Sequence, residues 1–181
     1  ALAHSDFFDF TTDELTLDDT GTTISVANVE TVIGDVGDDM VTFFSAANLS
    51  IDLKAGDDQL VLGKFANNVT VLGVETVVGG AAVDQITASG AFNGRVDLGL
   101  GDDSLTLDDV VNNVTIVSVE TVVGGTDNDT ITAVGALTRT SINGGDGQDT
   151  LTLASAVNSL TIKDVETITG GASADYVILG T

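Results

Sequence analysis

The chain has 181 residues, with 5 Lys plus Arg against 28 Asp plus Glu, a net charge of -23, and no Pro, Cys or Trp. That balance excludes a nucleic-acid face and attraction to an anionic membrane surface, both of which need clustered positive charge, and the lack of Cys excludes disulfides and thiolate chemistry. Hydrophobic residues reach 43% while aromatics are only 4%, so the expected core is thin and built from Val, Leu, Ile and Ala rather than from rings.

In chain order, residues 1–12 come first and could cap the core or dock on a neighbour through Phe7, Phe8 and Phe10; the single histidine, His4, also lies here. No basic region followed by an apolar run marks a signal peptide, and no apolar run is long enough to insert in a membrane. The start at Ala1 rather than Met reads as a processed product or an excerpt.

From Asp13 onward the chain repeats. V-E-T recurs at 29–31, 74–76, 119–121 and 165–167, in steps of 45, 45 and 46. Asparagines precede strand-like runs in NNVTV (67–71), NNVTI (112–116) and NSLTI (158–162). A finer repeat places an Asp two residues before an aliphatic residue at Asp13, Asp39, Asp58, Asp84, Asp103, Asp129, Asp149 and Asp175, at intervals of 26, 19, 26, 19, 26, 20 and 26. Short β-rich runs such as LTL (105–107), VTI (114–116), ETV (120–122), ITA (131–133) and TSI (140–142) are punctuated by Gly, Asn and Asp.

These signals predict an all-β chain and a single right-handed parallel β-solenoid (a β-roll or β-helix) with alternating 26- and 19-residue coils, one domain over 1–181 with units of about 13–57, 58–102, 103–148 and 149–181. Eight such coils, stacked about 4.8 Å apart, would form a rod about 38 Å long with the aspartates along one edge. Leu105, Leu107, Val114, Ile116, Ile131, Leu151, Leu153, Leu160 and Ile162 are expected inside. Thr16, Thr42, Thr87, Thr106, Thr132 and Thr152 are expected to form one outward column, broken by Val61 and Ile178. Thr31, Thr76, Thr121 and Thr167 read as an inward hydroxyl ladder. Glu30, Glu75, Glu120 and Glu166 read as solvent-facing strand residues that could also lend a carboxylate to an ion. The asparagines at 67–68, 112–113 and 158 read as a side-chain ladder or left-handed turns on the opposite edge.

The segment Gly144-Gly145-Asp146-Gly147-Gln148-Asp149-Thr150-Leu151-Thr152 matches G-G-x-G-x-D-x-U-x at every position. The chain therefore resembles the RTX (repeats-in-toxin) hemolysin-type repeat proteins, over roughly residues 33–181. Turns ending at Asp39, Asp58 and Asp103 keep the third glycine as Gly37, Gly56 and Gly101 and add Asp38, Asp57 and Asp102. Those ending at Asp84, Asp129 and Asp175 lack it, with Asp127 in its place before Asp129.

The resemblance implies several bound Ca2+ ions. Calcium is a hard cation wanting six to eight oxygens, and glycines let backbone carbonyls turn into a tight loop. The implied ligands are Asp39, Asp58, Asp84, Asp103, Asp129, Asp149 and Asp175, with Asp38, Asp57, Asp102, Asp127 and Asp146, and with Gly145 and Gly147 shaping the complete turn. RTX rolls carry a nonapeptide on both edges; one glycine-rich turn per coil here implies calcium along one edge only. The alternative is that Gly and Asp simply make tight turns, with Asp side chains capping backbone N–H groups.

The reading that follows is an extracellular calcium-binding structural repeat module, a segment of a secreted or cell-surface protein of adhesin, surface-layer or exoprotein type. Its partners would be calcium and either neighbouring repeats of a longer chain or identical subunits stacked end to end in a filament; the end at YVILGT, inside a strand without a cap, suits both. A polysaccharide-acting β-helix enzyme is disfavoured because the acids repeat in every coil, whereas a catalytic site needs a unique constellation. An ice-binding face wants two parallel threonine columns, and T-x-T is not read as a repeated element here.

Overall fold

The computed structural model describes residues 13–18 and 21–181, so the N-terminal cap expected over 1–12, with Phe7, Phe8 and Phe10, lies outside the described residues. The first ten strands are β1 (Glu14–Thr16), β2 (Thr23–Val26), β3 (Thr31–Ile33), β4 (Met40–Phe43), β5 (Asn48–Asp52), β6 (Gln59–Val61), β7 (Asn67–Leu72), β8 (Thr76–Gly80), β9 (Asp84–Ala88) and β10 (Asn93–Gly99). The remaining nine are β11 (Ser104–Thr106), β12 (Asn113–Val117), β13 (Thr121–Val123), β14 (Thr130–Ala133), β15 (Thr138–Asn143), β16 (Thr150–Thr152), β17 (Ser159–Lys163), β18 (Thr167–Thr169) and β19 (Tyr176–Leu179). No helix occurs among the described residues, and so none long and apolar enough to cross a membrane.

Odd-numbered strands form one ten-stranded sheet and even-numbered strands one nine-stranded sheet. Every pairing is parallel. The chain therefore winds as a solenoid with one strand per sheet in each coil. Ten stacked rungs at about 4.8 Å span about 43 Å.

Alternation along most strands makes the core, while the last two, β18 and β19, have no buried residue. In β4 Val41 and Phe43 are buried while Met40 is exposed, and the same pattern turns Leu105, Leu107, Val114, Ile116, Ile131, Leu151, Leu153, Leu160 and Ile162 inward, as predicted. The two inner faces merge into one continuous core, aliphatic except for Phe43 and Phe92. The unit's sharp corner before V-E-T is made by Asn28, Gly73, Ser118 and Asp164, with φ of 56°, 57°, 49° and 48°. Gly, Asn and Asp accept this left-handed conformation most readily, and Ser118 adopts it at the equivalent position.

Three expectations change. The coils do not alternate between long and short. Equivalent corner residues in adjacent coils, Asn112 and Asp129, Asp84 and Asp103, and Asp129 and Asp149, stand 17, 19 and 20 apart in sequence. One V-E-T unit holds five strands, β7 to β11 for example. With two strands per coil, the unit is two and a half coils of nearly equal length. Asp steps of 19 or 20 therefore stay on one edge, and each step of 26 crosses to the other. Closure sets this count, since one coil must fit two short strands and two corners.

The threonines expected in one column divide between the sheets, with Thr87 beside Thr106 in one and Thr132 beside Thr152 in the other. A second column joins the latter: Thr130, Thr150 and Thr167 run parallel to Thr132, Thr152 and Thr169. Finally, Thr31, Thr76, Thr121 and Thr167 face outward rather than inward, because Val32, Val77 and Val122 take the buried positions next to them.

Candidate functional site: carboxylate ladders at the corners

At most corners the last residue before a strand, or the first within it, turns a backbone N–H along the solenoid axis, and the side-chain oxygen of the equivalent residue one coil on accepts it. Glu30, Glu75, Glu120 and Glu166 instead donate their N–H to the carbonyls of Asp13, Asp58, Asp103 and Asp149 one coil back. On the edge leading into the even-numbered strands, Thr22 N–H donates to Asp39 (2.6 Å), Asp39 to Asp58 (2.7 Å) and Asp58 to Glu75 (2.9 Å). Further along, Phe92 donates to Asn112 (2.9 Å), Asn112 to Asp129 (2.9 Å), Asp129 to Asp149 (2.8 Å) and Asp149 to Glu166 (2.7 Å).

The opposite edge carries the same ladder. Ala47 donates to Asn67 (2.8 Å), Asn67 to Asp84 (3.2 Å), Asp84 to Asp103 (2.7 Å) and Asp103 to Glu120 (2.9 Å). Leu137 donates to Asn158 (3.0 Å) and Asn158 to Asp175 (3.2 Å). A full unit thus contributes an Asn-Asp-Asp-Glu ladder, on alternate edges in successive units. The expectation of one acidic edge is corrected: Asp39, Asp58, Asp129 and Asp149 line one edge, and Asp84, Asp103 and Asp175 the other.

The glutamates read as solvent-facing are ladder members, since Glu30 also accepts Asp13 N–H (2.9 Å). Their period, locked to that of the aspartates, was the available signal. The asparagines share the aspartate column rather than an edge of their own, and none of Asn67, Asn112 and Asn158 is left-handed. Asp38, Asp57, Asp102, Asp127 and Asp146 are exposed on the outside of the turns, and Asp38 accepts Asp57 N–H (2.9 Å). Gly145 and Gly147 adopt φ of 103° and 130°. Asp35, not singled out from the sequence, lies in the turn ending at Asp39 and accepts Gly37 N–H (2.7 Å).

The second carboxylate oxygen divides the aspartates into two kinds. In Asp84 and Asp129 it accepts Gly80 N–H (3.0 Å) and Gly125 N–H (3.1 Å). In Asp39, Asp58, Asp103 and Asp149 it is buried and accepts nothing. These four turns are the ones that keep the third glycine of the nonapeptide. The first glycine is needed for space: a Cβ on Gly144 would stand 2.5 Å from Asp149 Oδ2, and one on Gly34 2.8 Å from Asp39 Oδ2.

Burial without a counter-ion is electrostatically unfavourable. Burial pushes Asp58 up to about 6, against the lowering effect of the Asp39 N–H and with the help of Glu75, Asp39 and Asp38. Asp103 is likewise pushed up to about 6 by burial, opposed by the Asp84 N–H and aided by Asp84, Glu120 and Asp102. Asp149 is raised by burial, opposed by the Asp129 N–H and aided by Asp129, Glu166 and Asp164. The ion pairs Lys54–Asp52, Arg95–Asp97 and Lys163–Asp164 leave the ladders untouched.

No family model, no curated protein and no solved structure matches the chain. The RTX resemblance therefore rests on the nonapeptide residues, and the parallel two-sheet solenoid is compatible with a β-roll. Among the described residues, no three Asp, Glu, His or Cys side chains converge as a metal-holding group. A cation at a turn would meet one inward carboxylate there, and its other oxygens would be main-chain carbonyls. The four unpartnered Oδ2 atoms fit that demand, whereas Asp84 and Asp129, with N–H donors on both oxygens, do not.

Two open surface depressions of about 480 and 510 Å3 repeat with the unit. Asp57, Glu75 and Thr76 line one, and Asp102, Glu120 and Thr121 the other, on opposite sheets.

Proposed function

We propose that this chain is a calcium-binding structural module of a secreted or cell-surface protein, a rigid rod whose acidic turns take up calcium outside the cell. The observation that carries this reading is the set of buried, unpartnered carboxylate oxygens on Asp39, Asp58, Asp103 and Asp149, each in a glycine turn. Calcium bound there would supply the positive charge that the ladders lack. The residues to hold it are these four aspartates, with carbonyls of their own turns. A net charge of -23 with five basic residues supports the same reading, because stacked carboxylates oppose folding until neutralised. The module's partners are then calcium and further coils of the same kind, from a longer chain or from identical subunits end to end, since parallel sheet edges pair readily with another strand.

Metal analysis after dialysis, with circular dichroism melts in EGTA and in millimolar Ca2+, tests the proposal. Bound calcium and a higher melting temperature are expected. A metal-free chain with identical melts in both buffers would sink it.

A second reading, a face that orders water or meets ice, is favoured by one observation. The double column Thr130/Thr132, Thr150/Thr152 and Thr167/Thr169 on one sheet is continued by Asn113 and Thr115, with no charged residue in it. Rows two residues apart on a strand and one coil apart across it make a regular array of small hydroxyls. Thermal hysteresis of the purified chain, absent in a Thr132→Lys, Thr152→Lys variant, is the expected outcome, and its absence in the unmodified chain would dismiss this reading.

A further inference from the structure

We infer that the corners closed by Asn67–Asp84, Asn112–Asp129 and Asn158–Asp175 are metal-free clamps, so that the solenoid carries both calcium-dependent and calcium-independent corners. The contrast with the remaining corners rests on the calcium reading above; the clamps themselves do not.

Each clamp asparagine is engaged through both its amide oxygen and its amide N–H groups. Asn67, Asn112 and Asn158 are 3%, 0% and 0% exposed. Their Oδ1 atoms accept the N–H of Ala47, Phe92 and Leu137. Their Nδ2 atoms donate to the aspartate Oδ1 at 2.7, 2.9 and 2.8 Å. The same Nδ2 atoms also reach the carbonyls of Phe65, Val110 and Ala156 at 2.6, 2.5 and 2.9 Å, within their own turns. Each aspartate Oδ1 therefore receives both a backbone N–H and an amide N–H from one asparagine. In Asp84 and Asp129 the other oxygen is occupied by a glycine N–H.

A cation placed against these carboxylates would meet the hydrogens of two or three N–H donors, which repel it, and would have to leave buried donors unpaired to enter. The three turns also lack the third glycine, having Ala82, Asp127 and Ser173 there. Two independent features thus coincide in the same turns.

The first unit shows the converse. Thr22 stands where the later units place asparagine, and the aspartate it meets, Asp39, is the one first-of-pair aspartate whose Oδ2 is unpartnered among Asp39, Asp84 and Asp129. The first unit consequently has no clamp, and chelation opens the solenoid there before it opens the clamped coils.

Calcium stoichiometry and melting curves of variants of the full chain test this. Asp129→Asn is expected to leave the number of bound calcium ions unchanged, whereas Asp149→Asn lowers it. Asn112→Ala is expected to lower the melting temperature by about 5–10 °C, equally in EGTA and in Ca2+, as loss of several buried hydrogen bonds demands. Loss of an ion in Asp129→Asn, or an Asn112→Ala effect confined to calcium, would overturn the clamp. If Asn112→Ala does not fold, Asp129→Asn and hydrogen exchange on the unmodified chain decide: slower exchange in EGTA for the Asn67, Asn112 and Asn158 amides than for Thr22 and Asp39 supports it, and the reverse order refutes it. A chain that binds no calcium at all defeats the calcium reading, yet equal Asn112→Ala losses in both buffers would still establish the clamps.

Discussion

Replacing Asp103 by Asn in the absence of calcium isolates the cost of a buried carboxylate. Asn keeps the acceptor: Asn67, Asn112 and Asn158 already receive a backbone N–H from the preceding coil at 2.8–3.0 Å, as Asp103 does from Asp84 at 2.7 Å. The substitution removes the charge that burial, Asp84, Glu120 and Asp102 disfavour. The folded group titrates at about 6 against 3.8 for an unperturbed one, so the folded state binds more protons than the unfolded state between these values. Stability therefore falls as pH rises from about 4 to about 6, and the full penalty remains above that. At about 1.4 kcal/mol per tenfold change in proton affinity, the penalty is at most about 3 kcal/mol. In EGTA at pH 8, Asp103→Asn should accordingly melt up to roughly 6–12 °C higher than the unmodified chain, and at pH 4 the two should melt together. Thermal melts by circular dichroism across that pH range provide the assay. A variant that melts at or below the unmodified chain in EGTA at pH 8 would refute the buried-charge reasoning. In calcium the order should reverse, because the same oxygen is assigned to the ion.

Other substitutions probe the packing and the ladder. Gly144→Ala should destabilise by about 2–4 kcal/mol, since its Cβ would stand 2.5 Å from Asp149 Oδ2 and closer still to the Asp164 carbonyl oxygen; an unchanged melt would show the corner to be looser than described. Leu105→Ala, at a fully buried position (0% exposed), should cost about 2–5 kcal/mol in urea titrations. Thr22→Asn should install the missing asparagine of the first unit and raise stability in EGTA by about 1 kcal/mol, measured by melting; no gain would mean that the four units are not equivalent at this corner.

Local chemistry made much of this legible. Leu105, Ile116, Ile131 and Leu151 could be placed inside from period-two alternation, because a strand's geometry forces it wherever one face is buried. The recurrence of Asp, Gly and V-E-T announced a solenoid and marked the turns, including the one complete nonapeptide at 144–152. The glutamates were misplaced because their partners, such as the N–H of Asp103 for Glu120, lie one coil back along the chain.

The all-β repeat, its inward aliphatic residues and the corner positions of its aspartates all follow from propensities and spacings within a few residues. Which edge each aspartate occupies, and what its oxygens meet, depends instead on how the coils close and stack. A coil must close two strands and two corners, whereas one repeat unit supplies five strands, an odd number. The ladder therefore changes edge with every unit, and only the stacking of coils brings Asn112 against Asp129 while leaving Asp149 Oδ2 without a donor.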